Sequence, residues 1–476
     1  MSVASSRIAK LFWVFFEKIG IVGLSIISFF IYAFYLTPAE LGIGVLLLAI
    51  VELCSILLVV TTESAMIRQK HITQNQDGTA FWFLMLLSAL LSCAVFVAYY
   101  LFIVSSQTLF FAALIAVCYI PLQSMSRVHI VHMRRRKAFR KLAVITLISK
   151  LIGMALGISL ALNAFGEFVL VVQAVSMSLV TMLIILATEK RRFPFALERD
   201  WLKQQIAVGL PVTLKSLNTN IYNKGMVLLI ELTLGTAAVG FYNFANRLVE
   251  LPRAAIENAL MGYAHTVFSN RNNSGSDIGV LFVKCTNVST IVVLPVFVGL
   301  SLVGPDLITL LFGDKWNDSI PLFIAIALLT SINILFMFLP SLLIAYAKGA
   351  FGLKGQAFAS VVALLVFYVL VDEYQLYAII YALLIRVVLY FLVNLNACLR
   401  AANISLMVFI QGVYKQIVAC CIMWAVTSAF TKVISIDVLT YHIAAQICVA
   451  VITYTVVIFA LNPRVLRQFK EILTQA

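Results

Sequence analysis

The feature that most constrains this chain is a succession of apolar runs, each long enough to cross a membrane as a helix. A spanning helix needs roughly 20 mostly apolar residues. Runs of that kind are centred near residues 24, 50, 91, 118, 152, 176, 220, 248, 291, 329, 361, 386, 420 and 450. Only 11% of the residues are charged and 63% are hydrophobic, so this is not the composition of a soluble globular chain. The connections are too short to fold as extramembrane domains. The sequence predicts an all-α integral membrane protein with about 14 transmembrane helices. No signal peptide is expected, because the first apolar run is too long for an h-region and no small-residue cleavage site follows it.

A net charge of +14 would suggest nucleic acid if its placement were ignored. With both termini in the cytoplasm and strict alternation, cytoplasmic segments hold 24 of the 34 Lys and Arg, and the opposite side holds two, Lys315 and Lys432. The positive-inside rule accounts for that split. The basic charge is therefore read as topology and contact with anionic lipids, with no nucleic-acid partner. The densest loop, Arg134-Arg135-Arg136-Lys137-Ala138-Phe139-Arg140-Lys141, reads as a lipid-headgroup patch. The aromatic pair Phe81-Trp82 reads as an interfacial anchor. The tail from Pro463, with Val465, Leu466, Phe469, Ile472 and Leu473 at helical spacing, reads as a surface-lying amphipathic helix.

The two halves of the chain resemble each other. Leu36-x-x-Ala39-x-x-Gly42 matches Leu234-x-x-Ala237-x-x-Gly240, and Val51-Glu52-Leu53 matches Val249-Glu250-Leu251, both at an offset of 198. One ungapped register indicates a parallel six-helix duplication. The boundary falls at the linker that begins Glu189-Lys190-Arg191-Arg192-Phe193-Pro194. The expected organisation is a six-helix lobe over 1–188, a second over 189–400, and two added helices with a cytoplasmic tail over 401–476.

Charges at membrane depth are costly and mark packing ladders or watery cavities. They concentrate in the seventh and eighth runs. The seventh carries Lys215, Lys224 and Glu231, with Lys224 the deeper of its two lysines. The eighth carries Arg247, Glu250, Arg253 and Glu257, which step by three, three and four residues along one stripe. Its plain reading is an internal salt-bridge ladder. Its functional reading is a cavity wall whose Arg forks engage a phosphate or carboxylate. Repeats that face each other place a substrate near the midplane, so runs 1, 2, 7 and 8 are the first candidates for its lining. Lys18, Ser25 and Tyr32 share a stripe of run 1. Arg386 in run 12 has no acidic residue within one helical turn. Lys150 reads as a snorkelling lysine. The acids Glu17, Glu52, Glu231, Glu250 and Glu257 are candidates for carrying a proton or helping bind sodium.

No catalytic constellation is present: there is no GxSxG, HExxH or phosphate loop. The eight cysteines form no CxxC or Cys/His ligand spacing, and they read as small apolar packing residues with no metal site. His129 and His132 share a helix face and read as solvated interface histidines. The chain reads as a non-enzyme with no cofactor, beyond a coupling ion such as H+ or Na+.

Several segments resemble bacterial polysaccharide transporters of the Wzx type, in the MOP superfamily that also holds MATE exporters and MurJ-type flippases. They are Leu36 through Gly42, Ala65-Met66-Ile67-Arg68-Gln69, Thr79-Ala80-Phe81-Trp82, Gly209-Leu210-Pro211, Leu234 through Asn243, Arg247-Leu248-x-x-Leu251-Pro252, and Leu311-Phe312-Gly313-Asp314-Lys315-Trp316. The resemblance covers roughly residues 10–400. It implies two six-helix lobes around a central cavity, in the bacterial cytoplasmic (inner) membrane. It also implies alternating access that moves an undecaprenyl-diphosphate-linked oligosaccharide for O-antigen, capsule or exopolysaccharide synthesis. The cationic residues that would receive the diphosphate are Lys18, Lys224, Arg247, Arg253 and Arg386. A polysaccharide polymerase and chain-length machinery are the implied protein partners. The competing readings are a MATE-like ion-coupled exporter of small molecules and a membrane polymerase or glycosyltransferase. The first would want unpaired acids in the core, and the second a large outer loop with catalytic acids.

Overall fold

A computed structural model describes residues 3–69, 71–104, 106–272, 278–339, 342–343, 349–402, 404–434 and 438–463. Within them the chain forms fourteen α-helices. They are α1 (Val3–Tyr35), α2 (Pro38–Arg68), α3 (Gln74–Phe102), α4 (Gln107–Arg135), α5 (Phe139–Leu162), α6 (Val169–Thr188) and α7 (Arg199–Leu234). There follow α8 (Thr236–Asn272), α9 (Ile278–Phe312), α10 (Ile320–Leu335), α11 (Gly349–Tyr374), α12 (Leu376–Ala402), α13 (Leu406–Val433) and α14 (Leu439–Leu461). Helices are what apolar runs of this length must form, because lipid offers backbone N–H and C=O groups no partner. The proposed tail helix lies outside the described residues.

Among the described residues, twelve helices are long and apolar enough to cross a membrane. The two others are α7 and α8, of 36 and 37 residues. At 1.5 Å per residue each is about 54 Å long, so length is not what sets them apart. Their lower apolarity does so, and charged residues and Asn, Gln and Thr all contribute to it. These are the same two segments in which the sequence concentrates its ionisable residues.

Local chemistry sets where helices begin. Thr37 and Glu40 form a capping box at α2: the Glu40 carboxylate accepts from the Thr37 backbone N–H (2.8 Å), and the Thr37 hydroxyl accepts from the Glu40 N–H (3.3 Å). Pro38 occupies the first turn, where no backbone donor is needed. Thr73 and Gln76 build the same box at α3.

By packing, the chain divides into two compact units, Met1–Gly240 and Phe241–Ala476. In the first, α2 is central and packs against α7, α4, α3 and α6, while α1 packs on α5. Its core holds Leu47, Val51, Leu58, Met66, Leu84 and Tyr99, and the Tyr99 hydroxyl donates to the Leu47 carbonyl. Packing therefore groups α7 with the first six helices, whereas the repeat boundary in the sequence falls ahead of α7. The two divisions describe different properties of the chain.

In the second unit, α9 packs against α10, α13 and α14, and α11 packs on α12. The added pair α13–α14 is tied to α9 by buried polar contacts. The Gln416 amide donates to Asn287 (2.8 Å), the Tyr454 hydroxyl donates to the Ile291 carbonyl (2.6 Å), and the Gln446 amide donates to Asp306 (2.7 Å). After α9 the chain turns at Gly313, whose φ of 75° favours glycine. This turn sets Trp316, fully buried, in a stack on Phe244 with centroids 4.0 Å apart.

The linker after α6 is a docked strap. Phe193 stacks on Phe81 (4.6 Å) and meets the His129 ring edge-on (4.8 Å), and Phe195 packs against Trp82 (5.4 Å). The Thr79 hydroxyl donates to the Ala196 carbonyl (3.1 Å) and accepts from the Glu198 N–H (3.0 Å). A Cβ on Gly78 would overlap the Pro194 carbonyl oxygen, so the strap lies directly on the first turn of α3. The Phe81-Trp82 pair, read in sequence as an interfacial anchor, is therefore the strap's seat.

Candidate functional site

Of the residues singled out in the sequence, Lys224 and Glu52 are brought together. Lys224, in the C-terminal half of α7, lies 2.5 Å from the Glu52 carboxylate on α2. The pair joins the two helices that pack most extensively in the first unit. Lys224 thus carries its counter-charge with it, which satisfies the cost of a cation at this depth.

On α8, Arg253 holds both neighbouring acids. Its guanidinium lies 2.5 Å from Glu250 and 3.5 Å from Glu257, three and four residues away on the same face. The three side chains are each about one-third exposed. Arg247 on α8, Arg386 on α12 and Glu231 on α7 are half-buried, and Lys18 on α1 is exposed. The Lys215 side chain lies outside what is described.

Glu17 and Glu52 line one cavity of about 420 Å³ within the first unit, formed by α1, α2, α4, α5 and α6. Arg127 and Arg134 of α4 and Lys150 of α5 line it as well. Lys150, read in sequence as a snorkelling lysine, is half-buried on this wall. Arg127 lies within α4, and both Arg127 and Arg134 share Glu63 as a counter-ion.

Several basic residues read as a lipid patch are answered inside the protein. Arg134 pairs with Glu63, and Arg135 donates to the Met66 carbonyl (2.8 Å). Arg136 and Lys141 converge on Glu189 at 2.6 and 2.8 Å. Burial of Glu189 disfavours its charge, but those two cations outweigh burial and hold the carboxyl below the ordinary glutamate range.

The histidines overturn their sequence reading. His129 is 1% exposed and His132 7%, so neither is solvated. His132 Nε2 is 2.7 Å from Asp77, whose other oxygen accepts from Arg191 of the strap at 3.3 Å. Sequence reasoning missed this Asp77–His132–Arg191 cluster because its members are 55 and 114 residues apart. One signal was present: a basic strap and a lone Asp at the start of a helix are natural counter-ions.

A family profile described as "Polysaccharide biosynthesis protein" matches residues 31–321. The succinoglycan biosynthesis transport protein ExoT of Rhizobium meliloti (strain 1021) is 26% identical over 324 residues, 66% of this chain and 64% of ExoT. The lipopolysaccharide biosynthesis protein WzxC of Escherichia coli (strain K12) is 29% identical over 105 residues, 22% of this chain and 20% of WzxC. The chain thus spans less than two-thirds of the length of either relative. Among solved structures, the lipid II flippase MurJ in an inward closed conformation superposes with a TM-score of 0.73 at 13% identity, covering 96% of this chain and all of MurJ. An inward-facing MATE multidrug resistance transporter of the MOP superfamily gives 0.58 at 17% identity, covering 80% of this chain and 94% of that one. At such identities the likeness is one of fold.

Proposed function

Given that this multi-pass membrane protein belongs to the polysaccharide biosynthesis protein family, we propose that it flips an undecaprenyl-diphosphate-linked oligosaccharide across the bacterial cytoplasmic membrane. The observation that carries this reading is the pairing of embedded cations with carboxylates in α7 and α8 of a polysaccharide-family chain. Lys224 and Arg253 are each held by acids. A diphosphate offers a higher charge and more acceptor oxygens than a carboxylate, and it matches the guanidinium fork. In this mechanism a headgroup reaching Lys224 displaces Glu52, and one reaching Arg253 displaces Glu250 and Glu257. Lys18, Arg247 and Arg386 are further candidate cations.

The displaced acids would then be free to take up a proton or sodium ion, which couples headgroup binding to an ion gradient. Glu17 and Glu231 are further candidates for that role. The protein itself makes and breaks no covalent bond. Alternating access carries the headgroup across while the lipid tail remains in the bilayer. Both termini face the cytoplasm, where Lys137, Lys190 and Arg192 meet anionic lipids. A polymerase and chain-length machinery receive the product outside. Relatives named for succinoglycan, lipopolysaccharide and teichuronic acid biosynthesis support a glycan cargo of this class.

Lipid analysis of a strain lacking the protein tests this. Accumulation of the undecaprenyl-diphosphate oligosaccharide on the cytoplasmic leaflet, with loss of a surface glycan, is expected. If neither occurs, ion-coupled small-molecule export becomes the leading reading.

A further inference from the structure

The strap between α6 and α7 closes over a buried histidine. His129 is 1% exposed, and its Nδ1 has no hydrogen-bond partner among the described residues. Phe193 meets the ring edge-on at 4.8 Å while stacking on Phe81 at 4.6 Å. The flanking Arg192, Pro194 and Phe195 are exposed, so Phe193 is the side chain by which the strap covers the ring.

Four charged or titratable groups surround His129: Asp77 of α3, His132 of its own helix, and Glu189 and Arg191 at the start of the strap. Both carboxylates are already answered. Asp77 is held by His132 and Arg191, and Glu189 by Arg136 and Lys141. A positive charge on His129 would therefore meet no free counter-ion among these groups, at a position closed to water. A buried charge without a partner is costly, and admitting water removes that cost.

We propose that His129 is a proton-operated latch, whose ring releases the strap on taking up a proton and lets it dock on losing one. The docked state binds fewer protons here than the open state, so docking is favoured as pH rises and weakened as pH falls. A hydrated imidazole titrates near pH 6.5. Docking is thus at full strength above about that value and falls roughly tenfold per pH unit below it. Glu189 does not respond in this range, because Lys141 and Arg136 hold its carboxyl below the ordinary glutamate value. The strap carries the chain from α6 into α7, so the latch sets how firmly the N-terminal end of α7 is held. It acts in the same way whatever the protein transports.

The test is limited proteolysis of the full-length protein in detergent, read as cleavage within residues 189–198. Rates between pH 8 and pH 5.5 are normalised to a free peptide of the strap sequence, which removes the pH dependence of the protease. Cleavage of the parent is expected to rise about tenfold over that interval. His129→Phe keeps an aromatic ring under Phe193 but takes up no proton, and its profile is expected to stay flat. Should His129→Phe fail to fold, His129→Leu carries the same expectation. A flat profile in the parent overturns the proposal, and so does a rise of the parent's size in a folded His129 variant.

Discussion

Gly42 and Gly240 meet in a reciprocal contact. A Cβ on Gly42 would overlap the Thr236 carbonyl oxygen and come within 3.0 Å of the Gly240 nitrogen, while a Cβ on Gly240 would overlap the Pro38 carbonyl oxygen. At the repeat offset of 198, Pro38 is the equivalent of Thr236 and Gly42 the equivalent of Gly240. Each repeat's opening turn thus receives the other's glycine in the same way. Backbones approach this closely only where neither residue has a side chain.

This contact makes a stability prediction. Gly42→Ala and Gly240→Ala each force a backbone shift and should destabilise by about 1–3 kcal/mol, the usual cost of overpacking. Gly23 on α1 has nothing within 4 Å of a Cβ position. Gly23→Ala should be neutral or stabilising by up to about 1 kcal/mol through helix propensity. Thermal unfolding of the three purified variants gives the comparison.

The Lys224–Glu52 pair should show coupling. Lys224→Met and Glu52→Gln each leave one partner unanswered, and the double variant relieves that penalty. Both side chains are partly exposed, at 23% and 40%, so a coupling energy of about 1 kcal/mol is expected and not the larger value of a dry pair. A double-mutant cycle on unfolding midpoints measures it.

Substrate handling is probed away from that pair. Arg253→Ala and Arg386→Ala should each lower glycan export about tenfold or more, the effect of losing a charge-assisted hydrogen bond of roughly 1.5–3 kcal/mol. Membrane abundance should be unchanged. Surface-glycan quantitation beside an immunoblot separates the two, and normal export in both variants would remove these residues from the site.

The strap should loosen in acid. Glu189 has its carboxyl depressed in the folded state by Lys141 and Arg136. Its contribution to stability is present above the ordinary glutamate pKa of about 4.3 and is lost as pH falls through the lower folded value. Proteolysis within residues 189–198 should rise over that interval, and Glu189→Gln should raise it already at neutral pH. Phe193→Ala, which removes the stack on Phe81, should cost roughly 1 kcal/mol and give the same cleavage.

Much of the fold was legible in the sequence, because membrane helices announce themselves by length and apolarity. Among the described residues the fourteen helices coincide with apolar runs, and α7 and α8, the least apolar, carry the concentrated charges. The repeat was legible as a spacing, although nothing in the sequence showed that Gly42 and Gly240 would touch. What could not be read was who answers whom. Glu52 and Lys224 are 172 residues apart, and Glu63 and Arg134 are 71 apart. Hydropathy is blind to such pairings, and the same blindness made His129 and His132 read as solvated. The docking of the linker was not legible, because Phe193 and Pro194 meet Phe81 and Gly78, more than a hundred residues earlier.

The most direct measurement is leaflet exchange in proteoliposomes. Purified protein is reconstituted with an undecaprenyl-diphosphate oligosaccharide, and a membrane-impermeant glycan oxidant is added outside. Lipid-linked glycan flipping would be seen as consumption of nearly all the glycan, with slower consumption in Arg253→Ala vesicles. Protection of the inner-leaflet glycan to the same extent as in protein-free vesicles would contradict the assignment.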